Sequence, residues 1–208
     1  MLIKNSISHK IVFSLLVLLG LMMSFYLYRF IYLKNFSVVI PNQIYRSAQP
    51  TLPQVRNWHN TYHLKSILTL RGHQEQENIK RANHYITSHG IELNTIKLSS
   101  RKLPTHAELQ ELIRIINDSP KPLLIHCMRG VDRSGLVSAI AALLNNKSID
   151  QAREEFGWRK GFLPYRKQEL LKQVINDYES WLAKNNLTTN KTNFVLWASQ
   201  YYRMEVNA

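Results

Sequence analysis

The run His126-Cys127-Met128-Arg129-Gly130-Val131-Asp132-Arg133-Ser134-Gly135 brings a thiol, a guanidinium, glycines and a hydroxyl together in one short segment. Five residues separate Cys127 from Arg133, with Gly130 between them and Ser134 directly after. A glycine-bearing loop at a helix N-terminus turns backbone N–H groups inward, where the helix dipole favours negative charge. A thiol in that setting is favoured as the nucleophilic thiolate. Arg133 can hold two phosphate oxygens at once and complement charge that builds in a transition state. Ser134 can donate a hydrogen bond to the sulfur as it departs in a second step. The combination is a nucleophilic cysteine in an anion cradle.

Such a cradle needs a strand before it and a helix after it. Leu123-Leu124-Ile125 supplies the first and the small, apolar run Leu136 to Leu144 the second. Upstream, Asn35 to Gln43 reads as a linker or first strand, Ile44-Tyr45-Arg46 as a strand and Val55 to Tyr62 as a helix. Lys65 to Leu70 is a buried strand that ends at Arg71-Gly72-His73. Glu75 to Ser88 is a helix with Gly90 at its C′ position, and Ile91 to Leu98 is the next strand. Thr105-His106-Ala107-Glu108 is a capping box for a helix to about Asn117. Downstream, Ser148-Ile149-Asp150-Gln151 caps a helix to about Phe156, and Gly157 to Pro164 is a loop. Arg166 to Lys184 is a long helix with Leu170, Leu171, Val174, Ile175, Tyr178 and Leu182 on one stripe. Asn185 to Asn193 is polar, and Phe194 to Tyr202 is an aromatic segment that docks on the domain or lies at a membrane surface. Strands alternating with helices predict an α/β domain with a mostly parallel central sheet flanked by helices. Ligands bind at the carboxyl ends of such strands, where Cys127 and Arg71 both fall.

His126 to Gly135 resembles the signature loop of the cysteine-based protein tyrosine phosphatase superfamily, in its compact, dual-specificity-like branch. Tyr45-Arg46-Ser47-Ala48-Gln49-Pro50 and Leu98-Ser99-Ser100-Arg101-Lys102-Leu103-Pro104 resemble stretches of bacterial members. The resemblance runs from about Ile44 to Leu182. Rhodanese-like sulfurtransferases share the bare cysteine–arginine spacing but not the fuller string. The resemblance implies a phosphatase without metal or cofactor that works through a phosphocysteine. The backbone amides of Met128, Arg129, Gly130, Val131, Asp132 and Arg133 would bind the phosphoryl oxygens, and His126 would orient the loop and tune the thiolate.

The general acid departs from the family pattern. The usual aspartate comes from a loop upstream, but Lys97-Leu98-Ser99-Ser100-Arg101-Lys102 holds no carboxylate. Asp132 is the first candidate, as in myotubularin-like phosphatases, and Glu75 the second. A working acid must keep its proton near neutral pH. Arg71, His73, Arg101, Lys102 and Arg129 are candidate substrate contacts, and Arg46 is expected to buttress the loop. One basic residue, Arg129, precedes Arg133 within the loop, which leans the substrate toward phosphotyrosine or phosphoserine/threonine proteins. Phosphoinositides, inositol phosphates or phosphatidylglycerophosphate-like lipids are the alternative. A non-catalytic phosphate-binding module is the alternative of another class.

The remaining bounds come from composition. The chain has 208 residues, 45% of them hydrophobic, which is enough for one ordinary core and excludes a disordered chain. Its net charge of +13 calls for acidic partners. The positive residues are spread and no nucleic-acid motif accompanies them, so the expected partner is a phosphorylated protein or anionic phospholipid rather than nucleic acid. A single cysteine excludes an intrachain disulfide framework. Ile11 to Tyr28 carries no charge, and apolar character resumes after Arg29 through Leu33. It reads as a transmembrane signal anchor, with a cleaved signal peptide and a buried helix as alternatives. Lys4 and Lys10 on one side balance Arg29 and Lys34 on the other, so the side of the membrane that holds the domain is open. The expected organisation is an N-terminal flank (1–10), a signal anchor (11–33), a linker (34–43), a phosphatase domain (44–184) and a polar and aromatic C-terminal segment (185–208).

Overall fold

Two central strands, β3 (Ser66–Thr69) and β5 (Leu123–His126), are buried at every position, as expected for parallel strands covered on both faces by helices. The computed structural model describes residues 2–162 and 167–203, and side chains from residue 10 onward apart from 167–169. Its sheet has five strands, completed by β1 (Ser37–Ile40), β2 (Ile44–Ser47) and β4 (Glu92–Thr95), in the order β1-β2-β5-β3-β4. β1 runs antiparallel to β2, with an irregularity between Val38 and Ile40, and the other pairs are parallel. Ser47, His126 and Thr69 stand in register across β2, β5 and β3. The three strand ends therefore form one ledge, and Cys127 is the next residue on it.

Alternation along β5 sends Leu124 to one face and Leu123 and Ile125 to the other. On the Leu124 face lie α2 (Leu52–Tyr62) and α3 (Glu77–Ser88), which bury Val55, Trp58, Ala82 and Ile86. The opposite face is larger. α4 (His106–Asp118) carries the expected Thr105–Glu108 capping box and buries Leu109, Leu112, Ile113 and Ile116. α5 (Asp132–Leu144) is buried from Ser134 to Leu144 because the sheet, α4, α6 (Ile149–Arg153), the 3₁₀ stretch Lys167–Lys172 that leads into α7 (Gln173–Lys184), and α8 (Lys191–Gln200) surround it. Each fully buried Leu or Ile there contributes about 1.5–3 kcal/mol.

Several element boundaries differ from the sequence reading. The helix after the signature loop starts at Asp132 rather than Leu136, which puts Asp132, Arg133 and Ser134 in its first turn. Polar residues hid that turn, because apolar periodicity begins only at Leu136. The long C-terminal helix is a 3₁₀ stretch (Lys167–Lys172) followed by α7, and Leu170 is exposed rather than on the buried stripe. Three residues per turn rotate it away from the line that a continuous α-helix would keep. The expected start at Arg166 and loop end at Pro164 lie outside the described residues. Phe194, Trp197 and Tyr202 pack into the main core, and the Tyr202 hydroxyl donates to Pro104 O at 2.8 Å. The aromatic segment is thus docked on the domain.

At the N-terminus, α1 (Leu2–Leu27) continues into a π-helical turn, Tyr28–Tyr32. Lys10–Tyr32, 23 residues, is long and apolar enough to cross a membrane, and none of its apolar window is buried against the rest of the chain.

Candidate active site

The signature loop closes tightly because a glycine sits where nothing larger fits. Gly130 has φ +65°, and a Cβ there would lie 2.4 Å from Ala48 N and 2.5 Å from the Ser47 carbonyl carbon. That approach seats the loop on the end of β2, where Gln49 N also donates to Met128 O at 3.3 Å. Cys127, 3% exposed, is buried at the start of the loop that leads into α5.

A buried polar network holds the loop from behind. Arg46, wholly buried, donates through Nη2 to Gly130 O at 2.9 Å and Val131 O at 3.0 Å. Its Nη1 meets Glu155 Oε2 at 2.6 Å and Glu155 O at 2.7 Å. Asn35, also wholly buried, donates from Nδ2 to Gly130 O at 2.8 Å and Lys160 O at 2.9 Å. Burial pulls the Lys160 ammonium below its ordinary value, and Glu155, 3.8 Å away, works against that. Arg46 thus stands where the sequence reading expected a buttress. Asn35 and Glu155 were missed, because their contacts join residues 95 and 109 positions apart in the chain and no local pattern marks them.

The front of the site is cationic. Arg133 donates from Nη1 to Leu70 O at 3.0 Å and Leu98 O at 3.3 Å, which anchors it beside the strand ends. Arg71 donates to Gln49 Oε1 at 3.0 Å. Burial lowers the Arg71 guanidinium from its ordinary value, nearby Arg133 adds to this, and Cys127 opposes it. Arg133 and Cys127 are therefore both within electrostatic reach of Arg71. Burial pushes the His126 imidazole down to about 3, against a hydrogen bond to the Cys127 backbone, so it is neutral at physiological pH. A neutral His126 can influence the loop by packing and hydrogen bonding but not by charge. The Ser134 hydroxyl is buried and donates to Ser47 O at 3.4 Å.

A cavity of about 750 Å³ opens onto this front. Arg71, Met128, Arg129, Val131 and Asp132 line it from the domain. Tyr26, Phe30, Ile31 and Lys34 line it from the N-terminal segment, a wall that the sequence reading did not foresee. Of the expected substrate contacts, Arg71 and Arg129 lie on this cavity. His73 lines a smaller neighbouring one with Thr69 and His126. Arg101 and Lys102 are exposed on their loop and outside the lining, because the chain touches the site earlier, through Leu98 O. Asp132 is half-buried in the cavity wall. Glu75 is exposed, and an ion pair with Lys80 at 2.7 Å holds its carboxyl below the usual range, the wrong direction for an acid at neutral pH. Among the described residues, no three or more His, Cys, Asp and Glu side chains are grouped to hold a metal ion.

This arrangement can bind a phosphoryl group near Cys127 with cations close by. A structure of the core catalytic domain of the yeast (S. cerevisiae) PP-IP phosphatase SIW14, solved with citrate, is similar with a TM-score of 0.56 and 28% identity. The match covers 73% of this chain and 93% of that one. The full-length inositol diphosphatase SIW14 of Saccharomyces cerevisiae is 32% identical over 129 residues, 59% of this chain and 44% of that protein. The chain thus spans less than half the length of that relative. TpbA of P. aeruginosa shares the fold, with a TM-score of 0.53 at 16% identity over 72% of this chain and 91% of that one. The model of the tyrosine phosphatase family matches residues 30–198. With the strand, cysteine loop and helix in place and most of the chain covered by that match, this protein belongs to the tyrosine phosphatase family.

Proposed function

We propose that this chain is a membrane-anchored phosphatase that acts through a phosphocysteine on densely anionic phosphate compounds of the inositol phosphate type, free or carried as a lipid headgroup. The carrying observation is the cationic frame. Arg71, Arg129 and Lys34 line one cavity of about 750 Å³ together with Met128, the residue after Cys127, and Arg71 feels both Arg133 and Cys127 electrostatically. A substrate with several phosphates meets a cation on more than one side there. The similarity to an inositol diphosphatase supports the same class.

In the first step, Cys127 Sγ forms a bond to phosphorus as the phosphorus–oxygen bond to the leaving group breaks. Asp132, in the cavity wall, gives the departing oxygen its proton. Arg133, anchored by the Leu70 and Leu98 carbonyls, complements the phosphoryl oxygens with the loop amides of Met128 to Arg133. In the second step, water attacks phosphorus, the sulfur leaves with help from Ser134, and inorganic phosphate is released. The phosphoprotein reading, toward which the sequence leaned, ranks second. Exposed Met128 beside Cys127 favours it, since it offers an apolar contact to an aryl ring.

The test is phosphate release by the full chain in detergent from an inositol pyrophosphate, a phosphotyrosyl peptide and an aryl phosphate. Cys127→Ser is expected to lose activity by at least about 10⁴-fold, and Asp132→Asn by about 10²-fold with a changed acid limb. Retained activity in Cys127→Ser would sink the mechanism. Faster turnover of the peptide than of the inositol compound would sink the substrate assignment.

A further inference from the structure

The end of the N-terminal helix is built into the active site. Its last turns are fastened to the domain from several sides. Gln54 Nε2 donates to Tyr32 O at 2.8 Å, Ala48 N to Lys34 O at 2.6 Å, and the buried Asn35 amide bridges to the signature loop at Gly130 O. Phe30 lies flush against Gly161, where an added Cβ would come within 2.6 Å of its ring. Glycine at 161, with φ +81°, is what permits that approach. From this docked position Tyr26, Phe30, Ile31 and Lys34 form one wall of the cavity whose other wall holds Arg71, Arg129 and Asp132.

The same residues mark the end of the apolar span. Lys10–Tyr32 has 23 residues, about 35 Å of helix against a hydrocarbon core of about 30 Å. Its final turn therefore stands in the headgroup layer. Tyr26, Tyr28 and Tyr32 suit that depth, since tyrosine collects at membrane interfaces. Tyr26 and Ile31 are both more than half exposed, so the wall they make is open to lipid as well as to the cavity. Lys34 follows at the level where a headgroup phosphate would lie.

Resting on the phosphatase reading above, we infer that Tyr26, Phe30, Ile31 and Lys34 are specificity-determining residues that select a phosphorylated lipid headgroup held in the same membrane. The lipid's apolar part would run along Tyr26, Phe30 and Ile31, and Lys34 would pair with headgroup phosphate. The phosphate chemistry is that of a soluble inositol phosphate; the source is the bilayer.

The test reconstitutes the full chain in phosphatidylcholine vesicles. Phosphate release is compared between a phosphatidylinositol phosphate in those vesicles and the matching water-soluble inositol phosphate, with a phosphotyrosyl peptide as a third arm. Wild type is expected to favour the vesicle-borne substrate in kcat/KM by at least about tenfold. Ile31→Asp and Tyr26→Ser are each expected to reduce that preference by about tenfold, and Lys34→Glu to raise KM for the lipid more than it changes kcat. Two wall variants that leave the preference unchanged, with circular dichroism like wild type, overturn the inference. Equal or better use of the soluble compound or the peptide by wild type overturns it while the phosphatase reading survives. Release from no substrate overturns both.

Discussion

Behind the signature loop, Arg46, Asn35 and Glu155 are buried and hydrogen-bonded to it or to one another. At its mouth, Met128 and Arg129 are exposed, as are Arg101 and Lys102 on the neighbouring loop. The two sides answer to different costs. A buried charge needs its partner, because desolvation of an unpaired ion costs several kcal/mol. An exposed cation is solvated whether or not substrate is present. The back therefore fixes geometry, and the front is left to adjust to the ligand.

The comparison breaks or sharpens through stability and kinetics measured together. The largest effect is expected from Arg46→Ala, which takes from buried Glu155 its closer cation, leaving Lys160 at 3.8 Å, and strips donors from Gly130 O and Val131 O. Unfolding by denaturant should show a loss of about 3–5 kcal/mol; a loss below 1 kcal/mol would mean that the back does not hold the loop.

A smaller effect comes from His126, below the same loop. The unfolded imidazole titrates near 6.5 and the folded one at about 3. Above pH 6.5 both states are neutral and stability is full. Below it the unfolded chain binds a proton that the folded chain refuses, so stability falls by about 1.4 kcal/mol per pH unit until about pH 3. Between pH 7 and 5 wild type should lose up to about 2 kcal/mol more than His126→Gln. Equal losses in the two proteins would show that His126 is not buried as a neutral group.

The smallest effect on stability belongs to the front. Arg129→Ala should change the unfolding free energy by no more than about 0.5 kcal/mol, while KM for a polyanionic substrate rises by about three- to tenfold. A stability loss matching that of Arg46→Ala would erase the distinction between the two sides.

Much of the domain was legible in the chain because its signals are local. The capping residues Thr105 and Ser148 mark helix starts, and the apolar runs at Lys65 to Leu70 and Leu123 to Ile125 mark buried strands. The helix boundary at Asp132 was not legible, since its first turn is polar and serves the site rather than the core. For the candidate site, Cys127 and Arg133 were singled out by the fuller signature string between a strand and a helix, and Arg71 by its place after a strand. Arg101 and Lys102 were placed at the site by their position in a familiar stretch, yet they lie outside the cavity lining, and it is the Leu98 carbonyl before them that accepts from Arg133.

What the sequence determined by itself, then, is whatever depends on neighbours along the chain. That covers the anion cradle between a strand and a helix, the alternation that makes an α/β sheet, and an apolar helix of membrane-spanning length. Only the tertiary structure decided what depends on residues far apart: the brace of Asn35, Arg46 and Glu155 on Gly130, and the cavity wall lent by Tyr26, Phe30, Ile31 and Lys34. The physical reason is that a hydrogen bond or a pocket wall is set by distance in space. A single sequence carries no mark of two residues brought together from 95 or 109 positions apart.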